Sequence, residues 1–508
     1  MRQMPNDKYL VAVLIITAAS FLYWSLFGIN AYNTFHEYED LAMFEQSFYF
    51  NLHYPGIAHG LQLLVYGNHI VPLFLLIMPF FAIFQSPVTL LVIQAFVLSV
   101  AGIAVFYAAK YLLKSSKLGF GFALAYLLNP GMHGMFIFDF HAEAFISLFY
   151  ILSFYYYIRA RKFAFIVAFA LLMCTMEVTP TLGIVLGIGL FIFEFRSKFE
   201  PENAKKRKKL AVYAILISIA FFMLYAYISA QLAFAYQNKY PGLPENLYLT
   251  TGSQNTLGSM AIISFSNVSE VLKLDYYSYS DMVGYLIFAL LIVFFGYGIA
   301  AFGAPIESLI MSLPWLFMVF VIINTAFVLT WFQYFGFVVG PMAVASMLGA
   351  ERIIKRRGVI SRLLLWLSGN QKELLYYMLV LVPIFLFAIS PAFFYSRNLN
   401  NFSEDLFFMP NSTVIKADSQ LESIIHLVPG NASVDSQPFI NAHLANRATI
   451  GLGNNYTTWP EYIITDFNQS ISLNAVANPQ YSTFSNFIAT HPYRVVASNG
   501  TAVLYRKI

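Results

Sequence analysis

This chain has few charged residues and a single cysteine. Only 11% of its 508 residues are Asp, Glu, Lys or Arg, against about a quarter in soluble domains, which excludes an ordinary water-soluble globular protein. The one cysteine, Cys174, allows no disulfide within the chain, so a domain outside a membrane must be held together by packing. The sequence also lacks a Walker A motif, a Rossmann glycine fingerprint, an HExxH and a paired CxxC, so soluble-nucleotide chemistry has no support.

Apolar residues are abundant instead. Hydrophobic residues make up 59% of the chain, aromatic residues 18%, and the mean hydropathy is +0.65. Runs long enough to cross a hydrocarbon core of about 30 Å, which takes about 20 helical residues, recur between residues 9 and 396, and we count about eleven. The sequence therefore predicts an α-helical polytopic protein of the cell membrane.

Basic residues indicate which helix ends face the cytoplasm, because Lys and Arg near helix ends are retained there. The basic segments whose order fits alternating crossings are the N-terminus, 110–117, 159–162, 196–209 and 351–357. This order places the N-terminus inside and the tail outside. The hairpin at 300–308 is placed inside only because of the number of crossings before it, since it contains no basic residue. The net charge of +4 falls mainly in the inner loops, so we expect contact with membrane lipid headgroups and none with nucleic acid.

Two segments with their own character follow the first crossing helix. Residues 32–68 form a first outer loop, in which DLAMFEQSFYF is typical of a short helix with Asp40 at its N-cap. The apolar run at 69–84 has about 16 residues and two prolines, which indicates an interfacial helix that does not cross. We expect the membrane domain to comprise residues 1–396, with its first apolar run retained as an anchor.

The composition changes sharply at residue 397. In the tail, 397–508, SQLESIIHLV is typical of a helix, ASVDS and EYIITDF of strands, and the two runs around Asn499-Gly500 of a β-hairpin. We predict a small extracytoplasmic α/β domain. The N-x-S/T sequons all fall in segments placed outside, which supports the same topology. They begin at Asn267, Asn401, Asn411, Asn431, Asn455, Asn468 and Asn499.

Ionisable residues gather at the predicted outer face, and such residues at membrane depth are functional candidates because they are costly there. Four clusters occur: the acidic EYEDLAMFE, the GNH before the interfacial helix, the FDFHAEAF turn and the MEVTP segment. Besides Asp40, the candidate substrate- or metal-binding residues are Glu39, Glu45, His69, Asp139, His141, Glu143 and Glu177. Carboxylate and imidazole groups are ligands for a divalent cation such as Mg²⁺ or Mn²⁺, and a carboxylate can serve as general base.

Each candidate also has a structural explanation. A helix cap in a wet interface explains Asp40, a turn with solvated acids explains the Asp139 segment, and a satisfied interfacial histidine explains His69. Glu177 follows a long apolar run, so a hydrogen-bonding role inside the bundle is its structural alternative. The residue types alone do not decide between these explanations and chemistry.

The same four motifs resemble those of a family of uncharacterised archaeal and bacterial polytopic membrane proteins, known only as a domain of unknown function. Its pattern has an acidic D-L-x-x-F-x-Q, a G-N-H, an F-D-F-H-x-E turn and a K-E-D-like tripeptide, and this chain has DLAMFEQ, GNH, FDFHAE and MEV. The match covers about residues 30–200 and extends more weakly into the tail. Met176 and Val178 replace a basic and an acidic residue of the last motif.

That family is similar in turn to lipid-dependent glycosyltransferases with the GT-C fold. The resemblance implies a multi-helix membrane core, a long first outer loop with interfacial helices and a soluble outer domain. It also implies that Asp40 is the catalytic base or a metal ligand. A polyprenyl-phosphate-linked sugar would be the donor, and the acceptor would arrive from the extracytoplasmic side.

Two other functions remain open. A secondary transporter would use Asp139, Glu177 and their neighbours as an ion or proton relay, although transporters place such groups near the midplane in repeated halves. In the second alternative the membrane part is an anchor, and the tail from about residue 400 is a binding or sensor module. The sugar, the acceptor, the metal and the oligomeric state do not follow from the sequence.

Overall fold

The computed structural model describes residues 7–37, 39–53, 65–66, 69–197, 199–237, 279–322, 327–329, 332–390, 412–447, 450–451, 460–466 and 488–508. These residues form a helical bundle and a small domain built on a β-sheet. The predicted domain boundary at residue 397 lies outside the described residues. So do five of the sequons, Asn267, Asn401, Asn411, Asn455 and Asn468.

Fifteen α-helices of the described residues belong to the bundle. The first nine are α1 (Lys8–Asn33), α2 (Glu39–His53), α3 (Phe74–Ile83), α4 (Pro87–Leu113), α5 (Ser116–Leu127), α6 (Pro130–Ile137), α7 (Ala144–Ile158), α8 (Lys162–Met173) and α9 (Thr179–Arg196). The others are α10 (Ala204–Gln237), α11 (Tyr279–Phe295), α12 (Pro305–Phe317), α13 (Gly336–Ile354), α14 (Val359–Ser368) and α15 (Gln371–Ala388). Short strands β1 (Val65–Tyr66), β2 (His69–Ile70) and β3 (Gly296–Ile299) lie between them.

Six of the described helices are long and apolar enough to cross a membrane: α1, α4, α9, α10, α13 and α15. Helix α13 is the centre of the bundle, because nearly all of its side chains are buried. On the outside, Leu22 and Leu26 of α1 are 59% and 66% exposed, and Phe80 and Ile83 of α3 are 59% and 70% exposed. Such an apolar surface is costly in water and favourable in lipid, so the prediction of a helical membrane protein is confirmed. The total of eleven crossings stays a prediction.

The basic loops meet at one end of the bundle. Lys110, in the last turn of α4, binds Asp7 before α1 with 2.6 Å between Nζ and Oδ2. The hairpin at 300–308 lies at this end as well, because the buried Glu307 of α12 forms an ion pair with Arg352 near the end of α13. The sequence placed this hairpin inside only because of the number of crossings before it, since it contains no basic residue. The ion pair with Arg352 joins it to the basic end.

The apolar run at 69–84 is not one helix, contrary to the prediction. Its first two residues form β2, which pairs antiparallel with β1, and α3 begins only at Phe74. Backbone pairing with β1 therefore overrides the apolar pattern at the start of the run. With ten residues, α3 is about 15 Å long, half the thickness of a hydrocarbon core, which is too short to cross.

The C-terminal domain contains a five-stranded mixed sheet. Its elements are α16 (Ser412–Ile425), β4 (Val434–Ser436), α17 (Pro438–Asn441), β5 (Ile450–Gly451), β6 (Tyr462–Asp466), β7 (Tyr493–Asn499) and β8 (Ala502–Lys507). The strand order is β5-β4-β6-β8-β7, parallel from β5 to β6 and antiparallel beyond. The predicted helix, both strands and the hairpin are confirmed, and the φ of +62° at Gly500 explains why glycine suits that turn.

The C-terminal domain packs against the end of α1 that is remote from the basic loops. The ring of His443 stacks on Tyr32 and on Phe35, with 4.1 Å between ring centroids in both pairs. Its Nε2–H donates to the backbone carbonyl of Tyr32 at 2.9 Å. Asn446 donates from Nδ2 to the backbone carbonyl of Gln85, before α4, at 3.1 Å. The domain therefore lies at the same end of the bundle as the candidate residues.

Candidate functional site

The FDFHAE turn between α6 and α7 is held by one side chain of α4. Gln94, which is buried, donates from Nε2 to the backbone carbonyls of Met135 at 2.7 Å, Phe138 at 3.3 Å and Asp139 at 3.3 Å. Its Oε1 accepts the backbone N–H of His141 at 2.8 Å. Because an amide has both donors and acceptors, Gln94 fixes the two sides of the turn at once.

Asp139 of this turn determines how α2 lies on the bundle. Its Oδ2 accepts the backbone N–H of Leu41 at 2.9 Å, so α2 is capped from 98 positions away. The prediction that Asp40 is the N-cap is wrong: α2 begins at Glu39, and Asp40 lies within its first turn. A helix N-terminus is stabilised by any nearby carboxylate, wherever that carboxylate stands in the sequence. The side chain of Asp40 is thereby left for another partner.

That partner is His141. Oδ2 of Asp40 lies 3.2 Å from Nε2 of His141, and the Nδ1–H of the same ring donates to the backbone carbonyl of Asp139 at 2.9 Å. Burial lowers the pKa of His141, but the hydrogen bond and charge of Asp40, with the charge of Glu143, raise it to about 9. The pair is therefore a carboxylate and an imidazolium at neutral pH. The Asp40 side chain is 33% exposed, so solutes can reach it.

A second pair joins β2 to the MEV segment. Oε1 of Glu177 lies 2.7 Å from Nδ1 of His69, and Oε2 accepts the backbone N–H of Ile70 at 2.8 Å. Glu177 is buried, whereas the His69 side chain is 47% exposed. Partial burial lowers the pKa of His69, and the charge and hydrogen bond of Glu177 raise it to about 9. Close by, the Leu73 N–H donates to the Cys174 carbonyl at 2.9 Å, which ties α3 to the same segment.

Glu143 couples the two pairs. Its side chain is buried, and within the described residues its Oε2 has no hydrogen-bond partner. Burial raises its pKa, the charges of His141 and His69 lower it, and the net direction is upward. We call these five residues, Asp40, His69, His141, Glu143 and Glu177, the carboxylate–imidazole cluster. It contains a residue from each of the four sequence motifs.

A buried acid pair adjoins the cluster. Glu37 is 6% exposed and Asp139 is 1% exposed. Burial raises the pKa of Glu37 well above its ordinary value, and the charge of Asp139 and a hydrogen bond between the two carboxyl groups raise it further. Two carboxyl groups this close do not both ionise at neutral pH. Glu37 is therefore the harder of the two to ionise, while the Asp139 carboxyl group caps α2.

Aromatic rings and a close helix contact keep water away from the buried part of the cluster. The ring of His141 has Phe44 edge-on at 5.3 Å and Phe138 tilted at 5.1 Å. On another side, a Cβ at Gly336 of α13 would lie 3.0 Å from both Cβ and the backbone oxygen of Glu143. A side chain at Gly336 would push α13 away from Glu143. These apolar walls strengthen the charge interactions inside them.

Besides Asp139 of the adjoining acid pair, two predicted site residues are not part of the cluster. Glu45 of α2 is fully buried and faces the Asn446 amide of the C-terminal domain. Burial raises the pKa of Glu45 well above its ordinary value, and the nearby Asn446 amide offsets this only in part. Glu39 begins α2, but its side chain lies outside the described residues, as does Asn68 of the GNH motif.

Comparison with known protein families places the chain among related sequences. Residues 32–494 match a family described as predicted membrane proteins, DUF2079. The chain belongs to the DUF2079 family. No curated protein matches it. The predicted membership in an uncharacterised membrane family is thus confirmed, while the likeness of this DUF2079 protein to GT-C glycosyltransferases stays a prediction.

The cluster of this DUF2079 protein does not fit a preformed metal site. Among the residues that the structure describes, no group of three or more His, Cys, Asp or Glu side chains is arranged to hold a metal ion. Both imidazoles are paired with carboxylates, and a protonated imidazole is not a metal ligand. Binding of Mg²⁺ or Mn²⁺ stays a prediction, and it would require these pairs to separate.

Sequence reasoning missed Gln94 and the capping role of Asp139. A signal for Gln94 existed, because it is the one amide in the apolar run VTLLVIQAFVLSVAG of α4, and polar residues inside a membrane segment are costly without partners. No comparable signal existed for the cap, since nothing in the sequence relates Asp139 to Leu41.

Proposed function

We propose that this DUF2079 protein is a membrane glycosyltransferase that moves a sugar from a polyprenyl-phosphate donor to an extracytoplasmic acceptor. The observation that carries the proposal is the accessible Asp40 carboxylate, 3.2 Å from the His141 imidazole, with the half-exposed His69 in the same cluster. Transfer from a phosphate leaving group requires a base for the acceptor and positive charge for the phosphate. The cluster offers both.

In this proposal Asp40 is the general base. It accepts the proton of the acceptor hydroxyl as that oxygen bonds to the anomeric carbon of the donor. The bond between the anomeric carbon and the phosphate oxygen breaks, and its electron pair leaves with the polyprenyl phosphate. The MEV segment has no cation of its own, so the protonated His69, with a pKa of about 9, stabilises the departing charge.

Helix α3 supports the use of a lipid-linked donor. It follows β2 after three residues, and its Leu76 and Phe80 are 54% and 59% exposed. An isoprenoid chain in the membrane can contact this apolar face while its phosphate reaches His69. The site and the C-terminal domain lie at the same end of the bundle, which is the end where an acceptor arrives in the predicted orientation.

Turnover of a synthetic polyprenyl-phosphate hexose by the full-length protein in proteoliposomes tests the proposal. Mass spectrometry follows the released polyprenyl phosphate and the lipids that co-purify. Asp40→Asn should insert normally and lose at least about a hundredfold in rate, the lower range for a general base. Glu202→Gln, which removes an exposed carboxylate next to α10, is the control and should keep the wild-type rate.

Two outcomes would count against the proposal. A full rate in Asp40→Asn would remove Asp40 as the base. A wild-type protein that turns over no polyprenyl-phosphate sugar and co-purifies only with bulk lipids would argue against a transferase altogether. Enrichment of a polyprenyl-phosphate sugar on Asp40→Asn would instead support the function and identify the donor.

The buried Glu37–Asp139 pair favours a second candidate, a proton-coupled secondary transporter. A buried carboxyl group whose pKa is raised well above its ordinary value is suited to bind and release a proton during a conformational cycle. Uptake of a solute driven by a proton gradient, lost in Glu37→Gln and kept in Asp40→Asn, would favour this candidate. The opposite order of effects would favour the transferase.

The packing of the C-terminal domain lends little support to a free sensor module. His443 lies between two rings of the first outer segment, and Ala442 and Ala445 belong to the apolar core of the bundle. A module that works independently would expose these residues when cut from the bundle. The domain is better suited to cover or shape the site beside it.

A further inference from the structure

A cavity at the basic end of the bundle has no part in the proposed reaction. Its volume is about 420 Å³, and it lies between the last turns of α4, the turn that follows α4 and the end of α7. Its cations are Lys110, Lys114 and Arg159. About 24 Å of helix separates Lys110 from Gln94, which holds the turn of the carboxylate–imidazole cluster. The cavity is therefore a separate site.

The lining of the cavity contains cations but no carboxylate. Lys110 binds Asp7 at 2.6 Å and Lys114 binds Glu200 at 3.0 Å, and neither acid lines the cavity. Arg159 donates to a tyrosine hydroxyl and, within the described residues, to no carboxylate. The charge of a half-buried guanidinium is best satisfied by an anion, so the cavity is set up to receive one.

Tyrosine rings hold the cations in fixed positions. Cζ of Arg159 lies 5.6 Å from the ring centroid of Tyr111 and 5.4 Å from that of Tyr155. Arg159 also donates from Nη1 to the Tyr155 hydroxyl at 2.7 Å, and Nζ of Lys114 lies 4.2 Å from the Tyr111 ring centroid. A guanidinium fixed in this way has its planar donors ordered in advance, which is the geometry that phosphate oxygens accept.

The start of α5 adds to the positive field. Helix α5 begins at Ser116, and Ser115 caps it by accepting the backbone N–H of Leu118 at 3.3 Å. Both serines line the cavity. The N–H groups of a first helical turn and the helix dipole favour an anion. They reinforce chiefly the charge of Arg159, because Lys110 and Lys114 are paired with Asp7 and Glu200, and Asp7 also accepts the Ser116 hydroxyl at 2.7 Å.

Tyr107 indicates what kind of anion fits. It lines the cavity one turn before Lys110, within the membrane-crossing helix α4, and it is 39% exposed. The cavity thus extends from the basic loops to the side of an apolar helix, the depth at which the phosphate of a lipid meets its apolar chains. We propose that this cavity binds the phosphate group of an anionic membrane lipid, with Arg159 as its principal contact.

Lipid retention by the full-length protein tests this proposal. The protein is placed in nanodiscs of phosphatidylglycerol and phosphatidylcholine, transferred to neutral detergent, and examined by native mass spectrometry. The wild type should retain phosphatidylglycerol, and Arg159→Gln should retain about tenfold less, as expected for the loss of a charge-assisted hydrogen bond. Arg161→Gln is the control, because Arg161 is exposed and does not line the cavity.

Arg159→Lys keeps the charge without the planar donors and should retain an intermediate amount. Equal losses in Arg159→Gln and Arg161→Gln would mean that only the overall charge of the loops matters, and the proposal would fail. It would also fail if inorganic phosphate displaced the lipid and bound equally well without it. The unfolding temperature without added lipid shows whether Arg159→Gln keeps its fold. If that variant unfolds, wild-type retention by Arg159→Lys overturns the proposal.

Discussion

The carboxylate of Asp139 accepts the backbone N–H of Leu41 at 2.9 Å, across 98 positions of the chain. This contact holds the first turn of α2 against the turn that carries His141. Asp40 reaches His141 because of it, since Asp40 and Leu41 are neighbours in that first turn. The position of the proposed base thus depends on a residue from a different motif.

Removing this cap should destabilise the protein measurably. Asp139→Ala should lower the free energy of unfolding by about 1–3 kcal/mol, because α2 loses its cap and the buried Glu37 loses its partner. Asp139→Asn keeps an oxygen for the Leu41 N–H and should cost less. Denaturant titration in mixed micelles measures both. Equal losses would show that the charge of Asp139 matters and that the hydrogen bond to Leu41 does not.

Gln94→Leu should disorder the FDFHAE turn. The variant keeps a side chain of similar size but leaves up to three carbonyls and the His141 N–H without their partner, each a cost of about 1 kcal/mol or more where water cannot replace it. Unfolding measurements should show the loss, and the proposed sugar transfer should fall with it. Ser99→Ala, on the same helix, removes only a hydroxyl pair with Ser20 at 3.1 Å and should change the unfolding free energy by under about 1 kcal/mol. Similar losses in both variants would contradict a special role of Gln94.

The convergence of the four motifs was predictable from topology. DLAMFEQ, GNH, FDFHAE and MEV all lie near helix ends, and the alternation of basic loops puts those ends at one side of the membrane. The pairing inside the cluster was not predictable. The sequence gives no distances in space between segments that are far apart along the chain. It indicated a set of metal-ligand types, and it did not indicate that Asp40 pairs with His141 and Glu177 with His69.

Local patterns were reliable where local chemistry dominates. The hairpin at Asn499-Gly500 follows from turn chemistry alone, and the structure has it. The conformation at the start of the 69–84 run was mispredicted because it depends on pairing with β1 and on the hydrogen bond from the Ile70 N–H to Glu177. Strand β1 lies outside the run, and Glu177 is remote in sequence. The prediction that Asp40 caps α2 was wrong for the same kind of reason, because the cap comes from Asp139, which is remote in sequence.

Alkaline pH should weaken the cluster. The pKa of His141 is about 9 in the folded protein, against about 6.5 in an unfolded chain, so the folded state binds more protons between these values. Stability is therefore fully present below about pH 6.5 and falls as pH rises through 9. His69, with its pKa of about 9, acts in the same direction. Unfolding free energies measured from pH 6 to 10 check this.

Asp40→Asn should reduce this alkaline loss. Without the Asp40 charge, the pKa of His141 should fall toward its ordinary value, because burial is then opposed only by the Glu143 charge, the Asp139 carbonyl and what remains of the side-chain hydrogen bond. The folded variant then binds this proton no more tightly than the unfolded chain does. A wild-type stability that stays constant between pH 6.5 and 9, or an Asp40→Asn profile that matches the wild type, would contradict the charged pair.

Acidic pH should loosen the C-terminal domain from the bundle. Burial lowers the pKa of His443 to about 4, and the hydrogen bond to the Tyr32 carbonyl offsets this only in part. The folded state therefore binds fewer protons than the unfolded chain below about pH 6.5. The stability of the contact is present above that pH and is lost as pH falls toward 4. Hydrogen–deuterium exchange of residues 32–37 and 438–447, expressed as protection factors, should report the loss.

His443→Phe separates this titration from simple packing. A phenyl ring keeps the stacking between Tyr32 and Phe35 but has no proton to gain, so protection should become independent of pH between 7 and about 5. It should also be somewhat lower at pH 7, because the hydrogen bond to the Tyr32 carbonyl is gone. If the same acid-induced loss persists in His443→Phe, another group titrates at this contact. The buried Glu45, which faces Asn446 of the same domain, would not explain it, since a carboxyl group whose pKa is raised by folding stabilises the folded state as the pH falls.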